Sequence, residues 1–417
     1  VWTRRELGWL GLAAGLAPRR VFAQSASDRH FLFIHARGGW DPSYVFAPQP
    51  GVADMEPDAA VAEVSGITFT DHADRPSVRS FFERHGGRAA VLNGMEVRSV
   101  THERCQRILL TGRGDAGSDD WPSILAAHDT RAPALPHLLL AGTAYNAAYA
   151  DKVVRVGDDG QLPKLLSGHA LNEMDVRPQR RLGSTAEAAE AAVVAARLAR
   201  VGQGGGALGA FSDRYAAVLD QESRLREGQG GIDLAPTDLG CERDIVSDCA
   251  TAFDCFEREL ARCAMVTYDG WCSEGWDTHQ RIERQSRNFE DLFAYLEAVV
   301  DDLDTRRAAD GTPLSERTVI CVYSEMGRAP RLNAWGGKDH WTFTSAMLFG
   351  AGVAGGRTLG ALDDQGRGAG VDLGSGAGAS GGVVLQAGHL GATLLALGDV
   401  DPTAYLETFS PIDAVLS

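Results

Sequence analysis

Thr318-Val319-Ile320-Cys321-Val322-Tyr323-Ser324-Glu325-Met326-Gly327-Arg328 is the stretch on which the fold turns. The apolar run 319–323 predicts a buried strand. The chain then becomes polar at once. Between Glu325 and His340 lie a guanidinium (Arg328), Asn333, the pair Gly336-Gly337, an ammonium (Lys338) and a second carboxylate (Asp339). A second apolar run, Ala346-Met347-Leu348-Phe349, closes the segment. In open α/β sheets chemistry collects beyond the carboxyl ends of strands, so a strand that ends in this set of groups predicts an α/β fold and a site. An ordinary polar loop with an internal salt bridge accounts for this one loop equally well.

Other stretches repeat the arrangement. His30-Phe31-Leu32-Phe33-Ile34-His35 predicts a first buried strand, followed by Ala36-Arg37-Gly38-Gly39-Trp40-Asp41. Ala89–Gly94, Pro136–Ala141 and Ala264–Tyr268 predict further strands, and Gly275-Trp276-Asp277-Thr278-His279 follows the last of them. Helices are expected over 77–85, from Cys105 to Thr111 with Gly112 as terminator, over 185–226 with a break at Gly202–Gly206, from Cys255 to Arg262, and over 387–397. Phe289, Leu292, Phe293, Leu296, Val299, Val300 and Leu303 recur at helical spacing and predict a helix packed on the sheet. Gly350–Gly355 spells G-x-G-x-x-G, but a Gly-rich loop follows it instead of a helix, which excludes a dinucleotide site. The fold class expected is α/β: a mostly parallel sheet sandwiched between helices, with 150–260 as a helical cap or insertion.

The bulk numbers narrow the function. A chain of 417 residues with 44% hydrophobic and 23% charged content is globular, and a net charge of -16 gives nucleic-acid binding no support. Arg4-Arg5 before a short apolar run, Leu7 to Leu16, and small residues near Ala23 and Ala26 form a twin-arginine export pattern over 1–26. The expected location is periplasmic or secreted, the export machinery is the expected partner, and no membrane insertion is expected. Cys241, Cys249, Cys255, Cys263 and Cys272 crowd together, and an oxidising compartment permits disulfides among them. Cys105 and Cys321 read as buried free thiols.

The strand-end loops assemble a constellation. Asp41, Asp277, His279, Glu325, Asp339 and His340 are ligand types for one or two divalent ions, with zinc, manganese, magnesium and calcium all compatible. Thr101 is placed to cap the helix that follows it, with His102 and Arg104 in its first turn, and a helix N-terminus suits an anion. Arg37, Arg104, Arg328 and Lys338 are candidates to hold an anionic oxygen.

Arg37-Gly38-Gly39-Trp40-Asp41, Gly275-Trp276-Asp277-Thr278-His279, Tyr323-Ser324-Glu325-Met326-Gly327-Arg328 and Gly337-Lys338-Asp339-His340 resemble the motifs of the twin-arginine-exported family called domain of unknown function 1501. That family is related to alkaline phosphatases and sulfatases, and the resemblance covers about residues 29 to 417. It implies an alkaline phosphatase-like sheet with metals at its carboxyl edge and hydrolysis of phosphate or sulfate esters. It implies that Asp41, Asp277 and His279 are metal-binding. Ser324-Glu325-Met326-Gly327 is similar to the sulfatase Ser-Asp-His-Gly, with Met326 where a His ligand is expected and His340 as its replacement. Leu109-Leu110-Thr111-Gly112-Arg113 is similar to the sulfatase Leu-Leu-Thr-Gly-Arg. Counting back from it puts the nucleophile position on His102, beside Thr101, so formylglycine chemistry is not expected. The expected function is metal-dependent hydrolysis of a small anionic ester, with Thr101 or water attacking. Its alternative is a non-catalytic exported binding or assembly protein that keeps the fold.

Overall fold

The computed structural model describes residues 26–156, 184–228 and 244–417. Residues 1–25 of the expected export leader 1–26, and Cys241, lie outside the described residues. No helix among the described residues is long and apolar enough to cross a membrane.

The run at 319–323 lies inside an eight-stranded sheet. In chain order its strands are β1 (His30–Ala36), β2 (Ala89–Glu96), β3 (His137–Leu139), β4 (Val153–Arg155), β5 (Cys263–Tyr268), β6 (Thr318–Tyr323), β7 (Phe343–Gly350) and β8 (Arg357–Leu359). Across the sheet they follow the order β8-β2-β7-β6-β1-β5-β3-β4. β1 pairs in parallel with both β5 and β6, while β7 pairs antiparallel with β2 and with β6. The mostly parallel sheet is therefore as expected, with one reversed strand.

Strand periodicity sends alternate residues of β1 into two cores. Leu32, Ile34 and Ala36 face one layer, formed by α1 (Pro76–His85), α6 (Ile245–Glu257) and α7 (Arg284–Thr305). Phe31 and Phe33 face the other, formed by α2 (His102–Thr111), α3 (Trp121–Ala127) and α8 (Ala387–Leu397). The whole apolar stripe of α7 is buried. Each such side chain contributes about 1.5–3 kcal/mol on leaving water.

Gly112, at φ 69°, ends α2 as expected. α6 stops at Glu257, short of the expected Arg262, because Leu260 and Ala261 already lead into β5. Within 150–260, β4 joins the sheet edge and α6 packs on the sheet, whereas α4 (Ser184–Gly202) and α5 (Gly206–Gly228) form a mostly exposed hairpin. Cys105, Cys249, Cys255, Cys263 and Cys321 are buried free thiols, and Cys272 is disulfide-bonded.

The two Gly-Trp-Asp turns are anchored by their indoles. Trp40 and Trp276 are fully buried, 6.2 Å apart edge to face, and both pack on Phe289 of α7. Gly38, at φ +125°, lets the first turn approach the second: a Cβ there would lie 3.0 Å from the backbone nitrogens of Trp276 and Asp277. The loops after β1 and β5 are thus clamped together before any ligand is considered.

Candidate metal and catalytic site

Four segments bring side chains to one place. They are the end of β6, the loop after β5, the first turn of α2, and a two-residue ribbon in which Gly327–Arg328 pairs with His340–Trp341. The ligand atoms of His102, Asp277 and His340 lie within 4.8 Å of one another. His279 stands against two of these, with Nε2 2.9 Å from His340 Nε2 and 3.4 Å from Asp277 Oδ1. His340 Nε2 is 3.1 Å from Asp277 Oδ1, and His102 Nε2 is 3.4 Å from Asp277 Oδ2.

The opposite nitrogen of each imidazole is spoken for. His340 Nδ1 donates to the carbonyl of Val100 at 2.7 Å. His279 Nδ1 donates to Asp339 Oδ1 at 3.0 Å, and His102 Nδ1 to Glu325 Oε1 at 2.8 Å. An acceptor behind each Nδ1 fixes the tautomer that turns the Nε2 lone pair forward, as in histidine–metal sites. His102 Nε2 is buried with no hydrogen-bond partner. An ion bound at about 2.0–2.1 Å in tetrahedral geometry separates its ligands by about 3.3–3.4 Å. The spacings among His279, His340 and Asp277 are near that value, so these residues fit a divalent ion.

Charge at the site follows from these contacts. Half-burial opposes ionisation of Asp277, but the His102 and His340 imidazoles and the Arg328 guanidinium against it hold it far below the usual carboxylate range. Burial likewise opposes ionisation of Glu325, yet His102 and His35 hold it well below its ordinary value. Between those two carboxylates, Asp277 first and then Glu325, His102 is raised to about 9.

Several expected residues stand elsewhere. Asp41 is buried and gives one oxygen to Lys338 Nζ at 2.5 Å and the other to Ser43, at 3.0 Å to its N–H and 2.7 Å to its hydroxyl. It holds the loops together and does not face the imidazoles. Lys338, fully buried, is consumed in the same pair. Glu325 lies behind His102, accepting from His35 Nε2 at 2.9 Å and from the Gly38 N–H at 2.9 and 3.1 Å. Asp339 lies behind His279 and also accepts from Asn333. Arg328 is not a free anion binder. Its buried guanidinium donates to the carbonyls of Gly38, Gly39 and Lys338 and to Asp277 Oδ1 at 2.7 Å, which orients that carboxylate. Arg37 pairs with Asp269, and Arg104 is exposed on α2. Thr101 sits at the N-cap of α2, but its side chain makes no capping hydrogen bond.

Three contributors escaped the sequence reading. His35 ended an apolar strand and gave no sign beyond being polar there; its Nδ1 accepts from Gln106 at 3.4 Å. Gln285 ties both Gly-Trp-Asp turns together, accepting from the Asp41 N–H at 2.9 Å and donating to the Trp276 carbonyl at 2.9 Å. The third is a backbone group, the Val100 carbonyl. Beside the imidazoles opens a cleft of about 440 Å³, lined by Arg37, His102, Glu103, Gln106, Asp269 and Asp277 among others, a size suited to a small substrate.

Residues 28–373 match the family described as "Protein of unknown function (DUF1501)". The chain belongs to this family. No curated protein matches it. Among solved structures, this DUF1501 chain is similar to Ps i-CgsB in complex with k-i-k-neocarrahexaose, at 9% identity over 92% of this chain and 75% of that one, TM-score 0.41. It is also similar to the PsFucS1 sulfatase from Pseudoalteromonas sp., at 10% identity over 100% and 76%, TM-score 0.40. A third is the lipoteichoic acid synthase LtaP from Listeria monocytogenes, at 7% identity over 94% and 77%, TM-score 0.39. These likenesses assign no residue a role. The roles of the DUF1501 residues rest on the contacts above.

Proposed function

We propose that the protein is an exported, metal-dependent hydrolase of phosphate or sulfate esters. The observation that carries this reading is the meeting of His102, Asp277 and His340, with His279 against the last two, beside an open cleft. His102, Asp277, His279 and His340 would hold a divalent ion, which supplies Lewis-acid polarisation of an ester and neutralises charge developing on it. The site is reachable from solvent, the side chains of Asp277 and His279 being 45% and 42% exposed, so an ester oxygen could approach as a fifth ligand. The protein's own residues orient the rest. Glu325 fixes His102, Arg328 fixes Asp277, and Asp339 fixes His279. With Arg37 paired to Asp269 and Arg328 and Lys338 turned into the fold, recognition of an ester's charged oxygens would fall to an ion held by the imidazole–carboxylate centre. The Thr101 hydroxyl, free of capping duty beside His102, is the protein's own candidate for attack, with water as the other nucleophile. Export rests on Arg4-Arg5 and the apolar run after them.

The test is hydrolysis of 4-nitrophenyl phosphate and 4-nitrophenyl sulfate by the chelated protein and by protein resupplied with divalent ions. Activity restored by an ion and absent in the Asp277→Ala/His340→Ala variant is the expected result. Direct attack by Thr101 predicts that Thr101→Ala lowers kcat by about 1,000-fold or more with ion uptake unchanged; full activity assigns the attack to water. The second reading, a metal-stabilised binding module, is favoured by the absence of a capping or other fixed hydrogen bond to orient the Thr101 hydroxyl. An ion bound at this site with neither ester turned over would establish that reading instead.

A further inference from the structure

We propose that the site selects a zinc-class ion, an imidazole-seeking divalent transition metal, over calcium and magnesium, with His102 as its fourth ligand. This rests on the metal-dependent reading above and narrows it. Calcium requires six to eight oxygen ligands, and magnesium demands a near-octahedral oxygen shell. Only one carboxylate here, Asp277, faces the shared point. Asp41 is occupied by Lys338 and Ser43, Glu325 by His35, His102 and the Gly38 N–H, and Asp339 by His279 and Asn333. The remaining forward-facing donors are nitrogens, which suit zinc and its neighbours.

The tautomers sharpen the choice. A carbonyl oxygen only accepts, so His340 Nδ1 carries a proton toward Val100, and neutral His340 presents a bare lone pair at Nε2. Asp339 imposes the same on His279. Two lone pairs then face each other across 2.9 Å, with a carboxylate oxygen 3.1 Å and 3.4 Å away. Such an arrangement repels itself unless a cation stands between. His102 Nε2, buried and without a hydrogen-bond partner, is the fourth donor, and its backing by Glu325 is the carboxylate–histidine support that metal ligands carry. As a ligand, His102 is not the nucleophile.

The experiment uses the full chain without a polyhistidine tag, stripped with chelator and titrated separately with Zn²⁺, Co²⁺, Ca²⁺ and Mg²⁺. Thermal unfolding and the visible spectrum of the Co²⁺ form are the readouts. Zn²⁺ and Co²⁺ at a hundredfold excess over Kd should raise Tm by roughly 3 °C or more, with no effect of Ca²⁺ or Mg²⁺. Co²⁺ should give the intense visible bands of four-coordinate nitrogen-rich ligation, altered in His102→Ala. Asp339→Ala, which leaves all four ligands in place, should weaken Co²⁺ binding by about 10- to 100-fold. Circular dichroism separates misfolding from lost ligation in each variant. Stabilisation by Ca²⁺ or Mg²⁺ in place of Zn²⁺ would overturn the inference; if that ion also supports cleavage of the 4-nitrophenyl esters, the hydrolase reading survives alone. A Co²⁺ spectrum and affinity unchanged in His102→Ala would remove His102 from the site. Zn²⁺ bound as expected with no ester cleaved would leave the ion and remove the hydrolase. No response to any ion would overturn both.

Discussion

Asp41 and Lys338 illustrate what a residue can and cannot disclose about itself. An aspartate just past the first strand stands where a metal ligand is expected, and Lys338 stands where an anion binder would. In the folded chain the two are spent on each other, both buried, at 2.5 Å. Removing one partner of a buried pair leaves an uncompensated charge. Lys338→Met is therefore expected to lower stability by about 3–5 kcal/mol, measured by chemical denaturation, and the double variant Lys338→Met/Asp41→Asn should recover much of that loss. Were Asp41 a metal ligand instead, Asp41→Asn would abolish ion uptake; the geometry predicts that uptake survives at concentrations where the fold persists. The same lesson covers Arg328, Glu325 and Asp339. The sequence shows which charged groups gather at strand ends, and Asp277, His279 and His340 do meet there. It does not show which of them face each other and which stand behind, because that depends on pairings between residues 50 to 300 positions apart. His35 was invisible for the same reason, its partner Glu325 lying just past the end of β6.

At the scale of elements the pattern was more legible. Apolar runs marked β1, β2, β5 and β6, and helical spacing marked α7, because burial on one or both faces writes itself into local order. The direction of β7 was not legible: an apolar run reads alike in both directions, and only its pairing with β2 and β6 reverses it. That reversal returns the chain from the ribbon at His340–Trp341 into the sheet. The ribbon's register then depends on Gly337. Its neighbours clasp the other loop, with Lys338 N–H donating to the Thr278 carbonyl at 2.9 Å and Ile282 N–H to the Gly336 carbonyl at 3.3 Å. A Cβ on Gly337 would lie 2.2–2.4 Å from the backbone of His279 and Gln280, where nothing flexible can yield. Gly337→Ala should force the His279 and His340 segments apart. The expected outcome is at least about 10-fold weaker ion binding by isothermal titration, with the far-ultraviolet dichroism of the sheet unchanged. Retained affinity would mean that the two loops are not the rigid frame the contacts describe.

The whole molecule carries a titration built into its two cores, through buried histidines on both faces of the sheet, His30 and His137 among them. His30 begins β1, stacks on Phe256 at 4.7 Å and donates from Nδ1 to the Ala261 carbonyl. His137 begins β3 and lies 3.4 Å from the Ser123 hydroxyl on the other side. Both are fully buried, and burial lowers each from 6.5 to about 3. A folded value below the unfolded one means that the unfolded chain takes up protons first. The stability these groups provide is complete above pH 6.5 and is lost as pH falls toward 3. At pH 5 each costs about 2 kcal/mol relative to pH 7. Asp120 works the other way: burial raises it to about 6, so lowering the pH relieves its desolvation and returns about 1 kcal/mol over the same interval. Glu325 and Asp277, depressed by their imidazole partners, weaken the fold only at more acidic pH, as the unfolded carboxylates begin to protonate. His137→Gln isolates one share, because glutamine keeps a polar group near Ser123 and does not titrate. Its loss of stability between pH 7 and pH 5, by urea unfolding at each pH, should be smaller than that of the natural chain by about 2 kcal/mol. Equal losses in the two proteins would show that His137 is already protonated in the fold at pH 5, and that water reaches the face of the sheet on which α3 packs.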